Sequence, residues 1–226
     1  MSAVAVVVAG GGPPAVAAGD LGDLGAAPRV VAADSGLEGA RALGLAVDVV
    51  VGDMDSVDPG ALAAAEAAGT PLVRHPAAKD ATDLDLAIDE VLATGPPDRL
   101  VVVTGAGDRF DHALAVALSL ATPRLVGVAV EAWIGPAHLW VVRDRLALTG
   151  PAGALLSLVP MHGPARGVVT SGLRYPLADE DLDPGTTRGL SNELVGGPAT
   201  VGLRGGILLA LAPGEAGRCA TIAAWT

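Results

Sequence analysis

Cysteine is almost missing from this chain: among 226 residues only Cys219 is present. One thiol excludes an intrachain disulfide and any multi-cysteine metal site, and such usage is the one expected in a reducing compartment. Aromatic residues are nearly as scarce, 2% of the total with one Phe and one Tyr, so a core has to be built from Val, Leu and Ala in close packing. Positive charge is also short. Against 25 Asp and Glu stand 14 Lys and Arg, a formal net charge of -11. That balance argues against nucleic acid or an anionic membrane as partner, because binding to either rests on clustered Lys and Arg. Long apolar runs are lacking too. The uncharged opening from Met1 to Gly19 has no basic start and is broken by Gly10-Gly11-Gly12-Pro13-Pro14, so it reads as a first buried strand instead of a leader or a span. The expected location is the cytoplasm.

What is present is a hydrophobic fraction of 51%, ample for the core of one large domain or two modest ones. Apolar β-rich runs at Val4–Val8, Val30–Ala33, Val47–Val51 and Leu100–Val103 alternate with Ala- and Leu-rich segments of helical spacing, the pattern of a parallel α/β sheet. The clearest helix follows Thr82: Leu84, Ala87, Ile88, Val91 and Leu92 share one face, and Thr82 with Asp85 forms an N-terminal capping box. A second helix opens near Asp111 and runs through Leu114 and Leu118. After about Leu125 short apolar runs are punctuated by Gly and Pro, at Leu139–Val142, Leu155–Val159, Gly167–Thr170, Ala199–Leu203 and Ile207–Leu211. These read as antiparallel strands. The expected architecture is a three-layer α/β domain with a mostly parallel sheet over residues 1–131, then an antiparallel β-sandwich over 132–226.

Three Asp-rich segments stand in order in the first half: Gly52-Asp53-Met54-Asp55-Ser56, Lys79-Asp80-Ala81-Thr82-Asp83 and Asp108-Arg109-Phe110-Asp111-His112. Each follows a short β-branched run and is expected where a strand ends, the edge at which open α/β sheets place ligands. Carboxylates gathered there need a cation, and Mg²⁺ with bound phosphates suits them, since it takes oxygen ligands through one or two carboxylates plus substrate phosphates. Asp53 and Asp55 are two apart, so an extended backbone would point both to one side while Met54 turns inward. The plainer alternative has Asp55 or Ser56 capping a helix near Pro59. Lys79 is placed to meet phosphate oxygens, Asp83 sits in the first turn of its helix, and Arg109 offers a fork suited to phosphate. An ordinary capped helix start and a surface Arg–Asp pair are the bland readings of those two segments. His112 is read as orienting Asp111. Gly10–Gly12 is a weak nucleotide-site signal, and His75, His138 and His162 read as core or solvated histidines. No Gly-x-Ser-x-Gly elbow or Cys–His pair supports covalent acyl chemistry.

Taken in order, Ala33-Asp34-Ser35-Gly36, the three acidic segments, Ser157-Leu158-Val159-Pro160, Thr170-Ser171-Gly172-Leu173-Arg174-Tyr175-Pro176-Leu177 and Gly189-Leu190-Ser191-Asn192-Glu193 resemble the thiamine pyrophosphokinase family over nearly the whole chain. The resemblance implies an ATP-binding α/β domain, a β-sandwich and a homodimer with thiamine at the subunit interface. It also implies diphosphoryl transfer from ATP to thiamine, giving AMP and thiamine diphosphate. By the same resemblance, Mg²⁺ and phosphates belong at Asp53, Asp55, Asp80, Asp83 and Asp111, with Arg109 and Lys79 on phosphate. Asp34, Thr82, His112, Ser191 and Asn192 then contact nucleotide or thiamine, and Asp83 or Asp55 is the leading proton acceptor. The chain departs from the family pattern at Asp108 and Ser35, both at positions commonly Gly, and at Tyr175, where some members carry Trp. The rival readings are a related diphosphokinase for another heterocyclic alcohol, such as a hydroxymethylpterin, and a silent nucleotide- or thiamine-binding protein.

Overall fold

The structure, a computed structural model, describes residues 3–105, 107 and 109–214, and the backbone alone of residues 221–225. Cys219, Asp108 and the side chain of Trp225 lie outside the described residues. The chain divides into two compact units, Met1–Ser119 with Arg124–Gly135, and Leu120–Pro123 with Pro136–Thr226.

The first unit is built on six parallel strands: β1 (Val4–Ala9), β2 (Arg29–Ala33), β3 (Val49–Gly52), β4 (Leu72–Arg74), β5 (Arg99–Thr104) and β6 (Ala129–Ile134). Their spatial order is β6-β5-β1-β2-β3-β4, every pair in parallel register. Four helices connect them, α1 (Gly36–Ala42), α2 (Pro59–Ala67), α3 (Asp83–Ala93) and α4 (Phe110–Ser119). Central strands buried on both faces read as continuous apolar runs, and Val6, Val7, Val31, Val50 and Val101 to Val103 are fully buried. The three-residue β4, and β6 with its central Glu131, are absent from the apolar runs of the sequence. Glu131 is buried because Arg99 pairs with it, and the expected boundary at Glu131 lies inside β6.

α3 forms as its pattern predicts, with Leu84, Ala87, Ile88 and Val91 buried and the Thr82 hydroxyl accepting from the Asp85 amide. α2 is capped by neither Asp55 nor Ser56: Asp58 accepts from the Ala61 amide and Pro59 takes the first helical position, where its missing N–H costs nothing. α1 crosses β1 so closely that a Cβ on Gly36 would overlap the carbonyl of Val8. Gly36→Ala is therefore expected to destabilise the fold by about 3 kcal/mol or to prevent folding, a loss of midpoint in urea unfolding. An unchanged midpoint would mean that the α1–β1 approach is looser than described.

The second unit is all antiparallel. One sheet runs β12 (Asn192–Glu193), β9 (Leu155–Pro160), β14 (Leu208–Ala212), β7 (Ala137–Val142). The other runs β11 (Ala178–Leu182), β10 (Ala165–Ser171), β13 (Gly197–Gly202), β8 (Arg145–Gly150), β15 (Thr221–Trp225). Their inner faces share one core that includes Trp140, Leu146, Leu148, Leu156, Leu158, Val168, Leu177 and Leu208, the expected sandwich. Trp140 is fully buried with the His138 ring 4.0 Å away, centroid to centroid, so both serve packing.

Candidate active site

In the first unit β2, β3 and β4 lie to one side of β1, and β5 and β6 to the other, so the strand order reverses between β1 and β5. Ligands of open α/β sheets bind beyond the carboxyl ends of the strands at such a reversal. There a cavity of about 530 Å³ opens, lined by Gly10 and Gly11 after β1, Asp34 and Ser35 after β2, Ser56 beyond β3, Thr82 to Asp85 at the start of α3, Gly105 and Gly107 after β5, and Arg109 and His112 at α4. Ala113, Val116 and Ile134 supply an apolar wall. Its size suits a small organic ligand. The Gly10–Gly12 signal thus falls on the cavity. Gly105 packs on the backbone of Gly11 so tightly that a Cβ on it would overlap the Gly11 carbonyl.

Asp34, Asp53 and Asp83 converge, each offering one carboxylate oxygen, and these oxygens lie within 4.8 Å of one another. Each is placed by a strand end or helix start. Asp34 follows β2 with φ 49°, its amide donating to the Val51 carbonyl at 2.8 Å and its own carbonyl accepting from Leu37 at 3.1 Å. Asp53 directly follows β3, whose last residue Gly52 has φ 145°, and a Cβ there would lie 3.0 Å from Asp83 Oδ1 and 3.2 Å from Asp34 Cβ. Asp83 opens α3, in the turn that Thr82 caps.

Among the described residues Lys79 is the cation that pairs with this trio, its Nζ 2.8 Å from Asp53 Oδ2 and 2.9 Å from Asp83 Oδ1. The hydrogen bond from Lys79 holds the Asp53 carboxyl below the usual range, and the same bond raises the lysine. Burial pushes Asp34 upward, partly offset by the Ser35 amide and the Ser56 hydroxyl, with the charges of Asp83 and Asp53 adding to the rise. Among the described residues, one lysine is paired with a cluster of three carboxylates. Asp34 Oδ1 is buried without a hydrogen-bond partner, and the equally buried Asp83 Oδ1 has only the Lys79 ammonium, 2.9 Å away, as a close polar contact. An orphaned carboxylate oxygen beside two further carboxylates is what a hard divalent cation would satisfy, so the residues fit Mg²⁺.

Other residues expected from the sequence are placed differently. Met54 is buried as anticipated, but through a left-handed backbone, φ 64°, where an extended one was expected. Asp55 is exposed, its carboxylate accepting from Ser56 Oγ at 2.9 Å and its amide donating to Asp53 Oδ1 at 3.3 Å, and it is not one of the trio. Asp80 is exposed and stands outside the trio. Asp111 is exposed and binds Arg109 Nη2 at 2.6 Å, which holds its carboxyl low. Thr82, Arg109 and His112 line the cavity. Ser191 and Asn192 belong to the second unit. Ser191 is exposed with φ 54°, whereas Asn192 is buried and spends its amide on the Tyr175 backbone, accepting from N at 3.0 Å and donating to O at 2.7 Å. Asp34 is the member of the trio that the acidic segments do not reveal. Its signal was its place directly after an apolar strand, the position Asp53 holds after β3.

Residues 24–130 match the model of the thiamin pyrophosphokinase catalytic domain, and residues 146–208 that of the thiamin pyrophosphokinase vitamin B1 binding domain. Thiamine pyrophosphokinase 1 of rice, Oryza sativa subsp. japonica, is 27% identical over 156 residues, which cover 64% of this chain and 58% of that protein. Among solved structures, the thiamine pyrophosphokinase of Bacillus subtilis superposes with a TM-score of 0.78 at 23% identity, covering 94% of this chain and all of that one, 100%. The thiamin pyrophosphokinase of Candida albicans gives 0.76 at 13% identity, covering 94% of this chain and 89% of that one. At those identities the two structures speak for the fold. With both domain models matched in order along one chain, the protein belongs to the thiamin pyrophosphokinase family.

Proposed function

We propose that this chain transfers the diphosphoryl group of ATP to the hydroxyl of thiamine, releasing AMP and thiamine diphosphate. The observation that carries the reading is the carboxylate trio beyond the ends of β2 and β3, two of its members lining the cavity at the sheet's reversal point, in a chain whose other unit matches a vitamin B1 binding domain. The same match favours thiamine over a pterin alcohol as acceptor.

In this reading the cavity holds the nucleotide, with its phosphates toward Asp34, Asp53 and Asp83 and its apolar part toward Ala113, Val116 and Ile134. Those three aspartates would hold Mg²⁺, which when bound supplies neutralising charge to the diphosphoryl oxygens. Lys79 shares the carboxylates and lies at hand for phosphate oxygens. Arg109, exposed on the cavity rim, offers its fork to the same oxygens in exchange for Asp111. The thiamine hydroxyl oxygen bonds to the β-phosphorus while the bond from that phosphorus to the α,β-bridging oxygen breaks, and AMP leaves with the bridging oxygen. The hydroxyl proton passes to a carboxylate. Asp83 is the better placed of the two candidates, because Asp55 faces solvent. A homodimer with thiamine at its interface, acting in the cytoplasm, completes the proposal. No helix among the described residues is long and apolar enough to cross a membrane.

The experiment is incubation of purified protein with ATP, Mg²⁺ and thiamine, with chromatographic separation of nucleotides. Thiamine-dependent AMP with an equal amount of thiamine diphosphate is the expected result. ADP, or no turnover, would overturn the reading.

A further inference from the structure

The first turn of α3 carries two carboxylates, Asp83 and Asp85, and both line the cavity. Only Asp83 joins the trio. Two positions apart on a helix, they face different ways, and Asp85 turns to Arg124, in the short 3₁₀ turn Pro123–Leu125. Its Nη2 pairs with Asp85 Oδ1, and its Nη1 lies 2.8 Å from the oxygen Oδ1 of Asp89, one helical turn further on. The second oxygen of Asp85 accepts from the Thr82 hydroxyl at 2.7 Å, and the Thr82 oxygen in turn accepts from the Asp85 amide at 3.1 Å. A single chain of contacts therefore runs from Arg124 through Asp85 to the residue that caps the turn in which Asp83 sits. A guanidinium suits this task because its planar fork reaches two carboxylates a turn apart, which an ammonium cannot do with the same fixed geometry.

We propose that Arg124 is a positioning residue for the carboxylate trio: through Asp85 and Thr82 it fixes the capped turn that aims Asp83. The inference rests on the reading that the trio holds a divalent metal together with nucleotide. Ion pairs as exposed as these, with side chains 28%, 29% and 59% accessible for Arg124, Asp85 and Asp89, add little to global stability. Removing Arg124 should therefore act on the site more than on the fold. Outer partners of metal ligands commonly change metal affinity by about 10–100-fold when lost.

The test measures Mn²⁺ binding by the loss of the free-ion electron paramagnetic resonance signal, with a non-hydrolysable ATP analogue present and thermal melting run in parallel. Arg124→Ala is expected to raise the apparent Mn²⁺ dissociation constant about tenfold. It should lower kcat while leaving KM for thiamine near that of the parent. Arg124→Lys should recover part of the affinity, and Asp89→Asn, which removes only the outer limb, should change it by less than about twofold. Asp85→Asn, which keeps shape and removes charge, should weaken binding as Arg124→Ala does, and it serves if the alanine variant does not fold. Parent-like Mn²⁺ binding in folded Arg124→Ala or in Asp85→Asn would overturn the positioning role alone. A parent protein that takes up no Mn²⁺ would overturn the metal reading of the trio and this inference with it.

Discussion

Asp53→Asn is expected to lower diphosphoryl transfer by roughly 10²–10³-fold while leaving the protein folded, the scale seen when one preorganised electrostatic group is removed from a reacting centre. Asp53 is the most committed member of the trio: it follows β3 directly, shares the convergence point with Asp34 and Asp83, and is bound by Lys79 at 2.8 Å. The amide keeps the shape and loses the charge, and Lys79 retains Asp83 at 2.9 Å, so the local structure has little reason to collapse. The Lys79 hydrogen bond depresses the Asp53 carboxyl, so whatever stability the pair contributes is present above the ordinary carboxylate range and lost as pH falls through the lower, folded-state value. Any melting difference between parent and variant should follow that order. Asp55→Asn is the discriminating control. Its carboxylate faces solvent and bonds Ser56, so its loss should cost less than about tenfold in rate. Steady-state AMP release at saturating thiamine, with circular dichroism to certify the fold, measures both. Equal losses would show that the working site recruits Asp55 and that the trio is drawn too narrowly.

The place of Asp55, exposed and outside the trio that Asp53 joins, marks where sequence stops being sufficient. Alternation along a strand would put residues two apart on one face, and that inference requires an extended backbone. Met54 at φ 64° breaks it, and a non-glycine residue in the left-handed region leaves no mark in the letters. The Thr82 cap and the apolar face of α3 were legible because both depend on contacts within a few residues, and the structure has them where the pattern puts them. The central strands were legible because burial on both faces demands unbroken apolar runs. β6 was not, because its central Glu131 is compensated by Arg99, 32 positions earlier in sequence. Nor was β11, whose Ala-Asp-Glu-Asp-Leu composition resembles a loop and whose pairing with β10 comes from the partner strand. The metal-like trio lay between these extremes. Two of its members sit in acidic segments, while Asp34 joins them only through the parallel register that sets the ends of β2 and β3 side by side, Ala33 opposite Val51.

That position makes Asp34 the residue at which function and stability pull in opposite directions. In the protein without metal, Asp34→Asn is expected to raise the melting temperature at neutral pH by about 2–4 °C, the shift that a modest gain produces in a protein of this length. The carboxylate is buried, one oxygen lacks any hydrogen-bond donor, and Asp53 and Asp83 crowd it with like charge. An amide removes that charge, and asparagine tolerates the left-handed backbone, φ 49°, that this position imposes. The pH dependence fixes the sign. The folded-state carboxyl is raised above its unfolded value, so the folded protein holds this proton more tightly, and the cost of the charge is fully present only above the folded value. The advantage of the variant should therefore be largest at neutral and alkaline pH and shrink as the pH falls through that raised value toward the ordinary carboxylate range. Turnover should fall about as far as in Asp53→Asn, by roughly 10²–10³-fold. Added Mg²⁺ with nucleotide should raise the melting temperature of the parent much more than that of the variant, because a ligand stabilises only the state that binds it. Melting curves of both proteins across pH, with and without Mg²⁺ and ATP analogue, decide the matter. A variant no more stable than its parent at neutral pH would mean that the Asp34 charge is already compensated, and a variant that keeps full turnover would remove Asp34 from the site.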